Sequence, residues 1–128
     1  MKTSIRNVFA ALFAALFVIA ALGGTVVAVI LSGASATGAG SAYDNPPGDK
    51  TYQAYGSLAA GTGTAAISIE GSNDGTHWDT VTTTTLSLTS ATLAVSAGMT
   101  ATDRYAYSRA NITSLSGSTP TISVTRSY

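Results

Sequence analysis

Two kinds of patterning divide this chain. Residues 8–31, VFAALFAALFVIAALGGTVVAVIL, run for 24 positions without a charge. After residue 50 apolar positions become sparse and alternate with polar ones, the two-residue repeat of strands with one buried face. In residues 64–70, Ile67 and Ile69 face one side, Ser68 and Glu70 the other. Residues 78–88 form a β-branched run whose parity shifts, with Trp78, Leu86 and Leu88 in one phase and Val81 in the other, so a bulge is expected near residues 82–84. Residues 51–55 read as a short strand, and residues 91–95 as another with Leu93 and Val95 inward. Residues 57–63 and 96–103 read as loops. Residues 104–113 place Tyr105, Tyr107 and Arg109 on one face, with Ala106, Ser108, Ala110 and Ile112 opposite. Residues 119–127 close the series with Ile122 and Val124 in phase. No stretch beyond residue 36 has helical apolar spacing.

The pattern pivots on Glu70-Gly71-Ser72-Asn73-Asp74-Gly75-Thr76-His77-Trp78. Asn-Asp-Gly between two strand patterns is a hairpin signal, because glycine takes positive φ without a Cβ penalty and Asn or Asp tolerates it. Six or so short strands at this spacing predict an all-β sandwich or jelly-roll-like module over residues 51–128.

The N-terminal run predicts one long hydrophobic α-helix, residues 1–31. Lys2 and Arg6 precede the apolar stretch and no acid does. Three readings stay open. A retained anchor fits the length, since 24 helical residues reach about 36 Å against a hydrocarbon core of about 30 Å. A secretory signal fits the basic start and the small-x-small site Ala34-Ser35-Ala36, and Gly23-Gly24 could end a shorter apolar region of residues 8–22. The third is a helix buried in a larger assembly. Both membrane readings put the C-terminal module outside the cytoplasm. Residues 32–50, rich in Gly, Ser and Ala and ending in Asn45-Pro46-Pro47-Gly48, read as a flexible linker with a turn-forming end.

Charge narrows the partners. Beyond residue 36, four cations face six acids, leaving −2. Nucleic acid needs a basic face, so none is expected as a partner. There is no cysteine, hence no disulfide and no thiolate metal site. Asp44 and Asp49 lack the spacing of a calcium loop. A polar module of this size is near the lower limit for a self-sufficient core, so a homo-oligomer or another structural protein is an expected partner. The hydroxyl-rich residues 82–85 are a candidate pairing edge.

The turn through Trp78, its Thr/Val strand and the later run Arg104-Tyr105-Ala106-Tyr107-Ser108-Arg109-Ala110-Asn111-Ile112-Thr113 resemble a small β-sandwich of phage and prophage structural proteins. The Ser-Asn-Asp-Gly-x-x-Trp turn with a late Tyr-x-Arg strand is also similar to discoidin (coagulation factor 5/8 C-terminal-like) domains. The resemblance covers residues 51–127, and the fold it implies hosts adhesion, glycan binding and virion assembly.

The chemistry is thin. His77, the single histidine, has Asp74 and Asp79 nearby, but catalysis needs a second group in reach, and no such pair is spaced for it. No catalytic, cofactor or metal residue is therefore nominated. Asn111-Ile112-Thr113 matches a glycosylation sequon, a short pattern that arises by chance. Trp78, Tyr105, Tyr107 and Arg109 are the candidate ligand or partner contacts, an aromatic platform of the kind that meets a sugar ring. The expectation is a non-enzymatic, membrane-anchored structural or display protein, a phage virion or surface component. It would be held in a lipid bilayer by residues 8–31. The alternative is a secreted glycan-binding or adhesion module with residues 1–36 removed.

Overall fold

Val27–Ala34 opens the described structure as a strand, β1, not as the end of a helix. The computed structural model describes residues 27–96 and 98–128. Nine further strands follow: β2 Gly38–Ala39, β3 Tyr43–Asp44, β4 Gly48–Ser57, β5 Thr62–Ser72, β6 Asp79–Thr89, β7 Ala94–Val95, β8 Met99–Asp103, β9 Tyr107–Leu115 and β10 Thr121–Ser127. They form two antiparallel five-stranded sheets. One runs β1-β10-β4-β7 with β8 also on β4; the other runs β2-β9-β5-β6 with β3 also on β9. The all-β expectation holds for these residues, and no helix among them is long and apolar enough to cross a membrane.

Two expected boundaries move. The apolar pattern predicts helix through residues 27–31, yet β1 pairs along β10 from Val27↔Ser127 to Ala34↔Ile122. Val, Ile and Leu are as much at home in a half-buried strand as in a helix, and Ile30 is buried at 1 % exposure. The rest of the expected helix, residues 1–26, lies outside the described residues. The expected linker is also part of the sandwich. Residues 38–39 and 43–44 pair with β9, and β4 begins at Gly48 with Lys50 buried.

Within the sandwich the alternation rule locates the core. Ile30, Tyr52, Ala54, Ile122, Val124, Met99 and Ala101 from one sheet meet Ala65, Ile67, Ile69, Leu86, Leu88, Ala110 and Ile112 from the other. The bulge falls at Val81, where pairing steps from Ile69↔Thr82 to Glu70↔Thr80. That extra residue lets Val81 pack on the core beside Leu86 and Leu88 despite its opposite parity. Residues 96–103, expected as a loop, contain β8, whose exposure alternates strictly with Met99, Ala101 and Asp103 inward. Leu93 and Val95, expected inward, are exposed at 59 % and 54 %, and the intervening Ala94 packs on the core.

The inward positions change character toward one end. Ile122 and Val124 lead to Arg126, Ala54 and Tyr52 to Lys50, Met99 and Ala101 to Asp103, and Ile112 and Ala110 to Ser108. Each of four strands thus ends its buried face on a polar residue. The sheet edges also differ. β1 carries two register shifts, and β2, β3 and β7 are two residues long. β6 pairs regularly from Thr82 to Thr89 with β5 alone among the described residues.

Candidate functional site

The hairpin tip between β5 and β6 is held by its own side chains. Ser72 Oγ accepts from the Gly75 N–H at 2.9 Å. Asp74 Oδ1 accepts from the Thr76 and His77 N–H groups, each at 2.8 Å, and Asp74 Oδ2 meets His77 Nδ1 at 2.7 Å. Gly75 takes φ +73°, the left-handed conformation the turn requires. His77 and these backbone donors hold the Asp74 carboxyl well below the usual carboxylate range, and Asp74 in turn raises His77 above its ordinary value. His77 is almost fully exposed, and among the described residues its titratable partner is Asp74 of its own turn. This is how a turn satisfies its own polar groups.

Arg109 and Trp78 do come together. The Arg109 guanidinium lies over the Trp78 ring, 4.0 Å from its centroid. Glu70, directly opposite Arg109 in the β5–β9 register, accepts from Arg109 Nε at 2.7 Å through Oε2 and from Asn111 Nδ2 at 2.7 Å through Oε1. The carboxylate is filled from two sides and the cation is stacked, on the outer face of the β9-β5-β6 sheet. Trp78 is half-buried there and does not belong to the core. One face of its ring is covered by Arg109 and is closed to a sugar.

Tyr105 stands apart. The alternation puts it in phase with Tyr107 and Arg109, but β9 begins only at Tyr107. From the loop before it, the Tyr105 ring occupies the space a Gly71 side chain would fill, and its hydroxyl donates to Asp79 Oδ2 at 3.0 Å. That bond raises the Tyr105 hydroxyl above its ordinary range. Asn73 Oδ1 accepts from the Ala106 N–H at 3.2 Å, tying this loop to the hairpin tip. Tyr107, at the head of β9, pairs with Ser72 and faces outward, half-buried.

A second polar cluster lies between the sheets at this same end. Lys50 Nζ is 3.9 Å from Asp103 Oδ1 and donates to the Gly48 carbonyl at 3.0 Å. Asn45 Nδ2 donates to Asp103 Oδ1 and to the Tyr105 carbonyl. Arg126 donates to Ser108 Oγ at 2.7 Å and to the Asp44 carbonyl at 3.0 Å. Tyr52 Oη, Asp103 Oδ2 and Arg126 Nε are buried without a hydrogen-bond partner among the described residues. Burial and then the nearby Asp103 push the Tyr52 hydroxyl up. Sequence reading missed the cluster, because Lys50 and Asn45 sit in the presumed linker. The signal that could have found it is parity: Arg126 is in phase with Ile122 and Val124.

Among the described residues no three His, Cys, Asp or Glu side chains are grouped to hold a metal ion. No family model matches the chain. No curated protein matches it either. Among solved structures, the PBSX exported protein XepA superposes with a TM-score of 0.51 at 10 % identity, over 80 % of this chain and 36 % of that protein. The chain therefore spans about a third of that protein's length, and the likeness is one of fold.

Proposed function

We propose that this chain is a non-enzymatic, membrane-anchored structural or display protein of phage origin, with residues 27–128 as the displayed sandwich. The observation that carries the reading is β1. The apolar, basic-headed N-terminal run leads without a break into a strand whose Ile30 is part of the core, so run and sandwich belong to one functional chain. The phage assignment draws on the sequence resemblance and on the fold likeness to an exported protein of PBSX. The non-enzymatic assignment draws on His77, whose one side-chain partner among the described residues is Asp74 of its own turn. The continuous edge of β6, without a charge from Thr80 to Thr89, is where a second copy or another structural protein would add a strand.

The secreted alternative, with residues 1–36 removed, is less well supported. A cut after Ala36 would strip β1 from β10 and uncover the buried face that Ile30 covers. The glycan platform is also compromised, since Arg109 covers Trp78 and Tyr105 packs on Gly71. Expressing the full chain in a bacterium, fractionating it and taking the intact mass tests the reading. A full-length mass in the membrane fraction is expected. A product beginning at Thr37 in the periplasm would overturn it.

A further inference from the structure

With residues 27–31 taken into β1, the uncharged run before the sandwich is residues 8–26, nineteen positions. As a helix these reach about 28 Å, close to the roughly 30 Å of a hydrocarbon core. No linker follows them; the next residue is the first of β1. A bilayer crossed by all nineteen residues as one helix lies against whatever surrounds Val27.

That surface is identifiable from the register. Val27 pairs with Ser127, so Tyr128 lies beside it, with the Arg126 guanidinium 5.2 Å from the Tyr128 ring centroid. Arg126 reaches Asp44 and Ser108, which brings in Tyr43, the cross-strand partner of Ser108. The large apolar side chains exposed among the described residues are Val27, Val29, Tyr43, Leu93, Val95 and Tyr128, and four of these six are at this end. Tyrosine, an apolar ring with a polar tip, is the side chain that settles at the headgroup level. Asp44, Asp49, Asp74 and Asp79 also lie at this end and outnumber the exposed Arg104 of the β8–β9 loop, so the charge balance does not favour an anionic lipid.

We propose that the end of the sandwich bearing Val27, Tyr43 and Tyr128 rests directly on the zwitterionic headgroup layer of a bilayer, seating the module on the membrane. The inference rests on the anchored reading above and adds what the anchor does to the sandwich.

Trp78 is the only tryptophan, and the hairpin tip that carries it is at this end, so its emission reports the contact. The full chain is reconstituted in phosphatidylcholine vesicles carrying a spin label either on the headgroup or deep on the acyl chain. The expected result is flotation with the vesicles and loss of Trp78 emission with the headgroup label, with little loss from the deep one. Inserting a flexible Gly/Ser segment of about 12 residues between Val26 and Val27, with a reach of roughly 20 Å, should abolish that quenching while flotation persists. Tyr43→Asp and Tyr128→Asp, both at exposed positions, should reduce it. A chain that floats but is unquenched, or is quenched equally after Tyr43→Asp and Tyr128→Asp, overturns the seating and leaves the anchor standing. A chain that does not float overturns both.

Discussion

Arg109 and Arg126 stand on strands of different sheets at the same end of the sandwich, and each has a carboxylate in its cluster. Arg109 lies on the outer face, stacked on Trp78, with Glu70 bonded to it and to Asn111. Arg126 is 4 % exposed between the sheets, in a cluster with Lys50 and the carboxylate of Asp103, where three polar atoms have no partner among the described residues. The outer cluster is satisfied where water still reaches part of it. The inner one is unsatisfied where water is largely excluded. In low dielectric a missing partner costs far more than a present one gains, so the inner cluster should govern stability and the outer one shape a surface.

Asp103→Asn tests this most severely. It leaves Lys50 and Arg126 buried without a countercharge and should cost about 3–5 kcal/mol, read as a lowered denaturation midpoint; a loss under about 1 kcal/mol would remove the contrast between the clusters. The apolar half of the same space supplies the scale. Ile30→Ala should cost about 2–4 kcal/mol, and an unchanged midpoint would mean that β1 contributes nothing. On the outer face, Arg109→Ala should cost about 1 kcal/mol and shift Trp78 emission to the red as its ring is uncovered. A cost equal to that of Asp103→Asn would erase the distinction.

The smallest effect belongs to the hairpin tip. Asp74 is held low, so its share of the His77 pairing is complete above the unfolded carboxylate value of roughly 4 and is lost as pH falls. His77 is held high, so its share is complete below roughly 6.5 and is lost as pH rises through the folded value. An NMR titration should find the His77 ring titrating above its ordinary value, and Asp74→Asn should bring it back. No change in that variant would mean the pair is not formed in solution.

What the sequence disclosed followed from local rules. Ile67/Ile69, Ile122/Val124 and the Asn-Asp-Gly turn each declared themselves within a few residues, and β5, β10 and the hairpin stand where these put them. What stayed hidden depended on distant partners. Residues 27–31 are extended because β10 pairs with them, and an apolar run alone cannot distinguish that from a helix. Met99 and Ala101 are core because β4 supplies their ladder, although their neighbours are loop-forming. In the site, Arg109 and Trp78 meet across the sheet, which phase on one strand could not show, and Tyr105 was misplaced because a strand start is set by pairing.

The pairing of the first described strand with the last has a mechanical consequence. β1 and β10 run antiparallel, and Val27 stands opposite Ser127. A pull on Val27 against the C-terminus would open that ladder like a zipper, one pair at a time. The same pull resisted at the far end, near the turn before Thr121, would load every pair at once in shear. The direction of load therefore decides how firmly the sandwich holds, and a partner gripping the end away from Val27 would meet the stronger geometry.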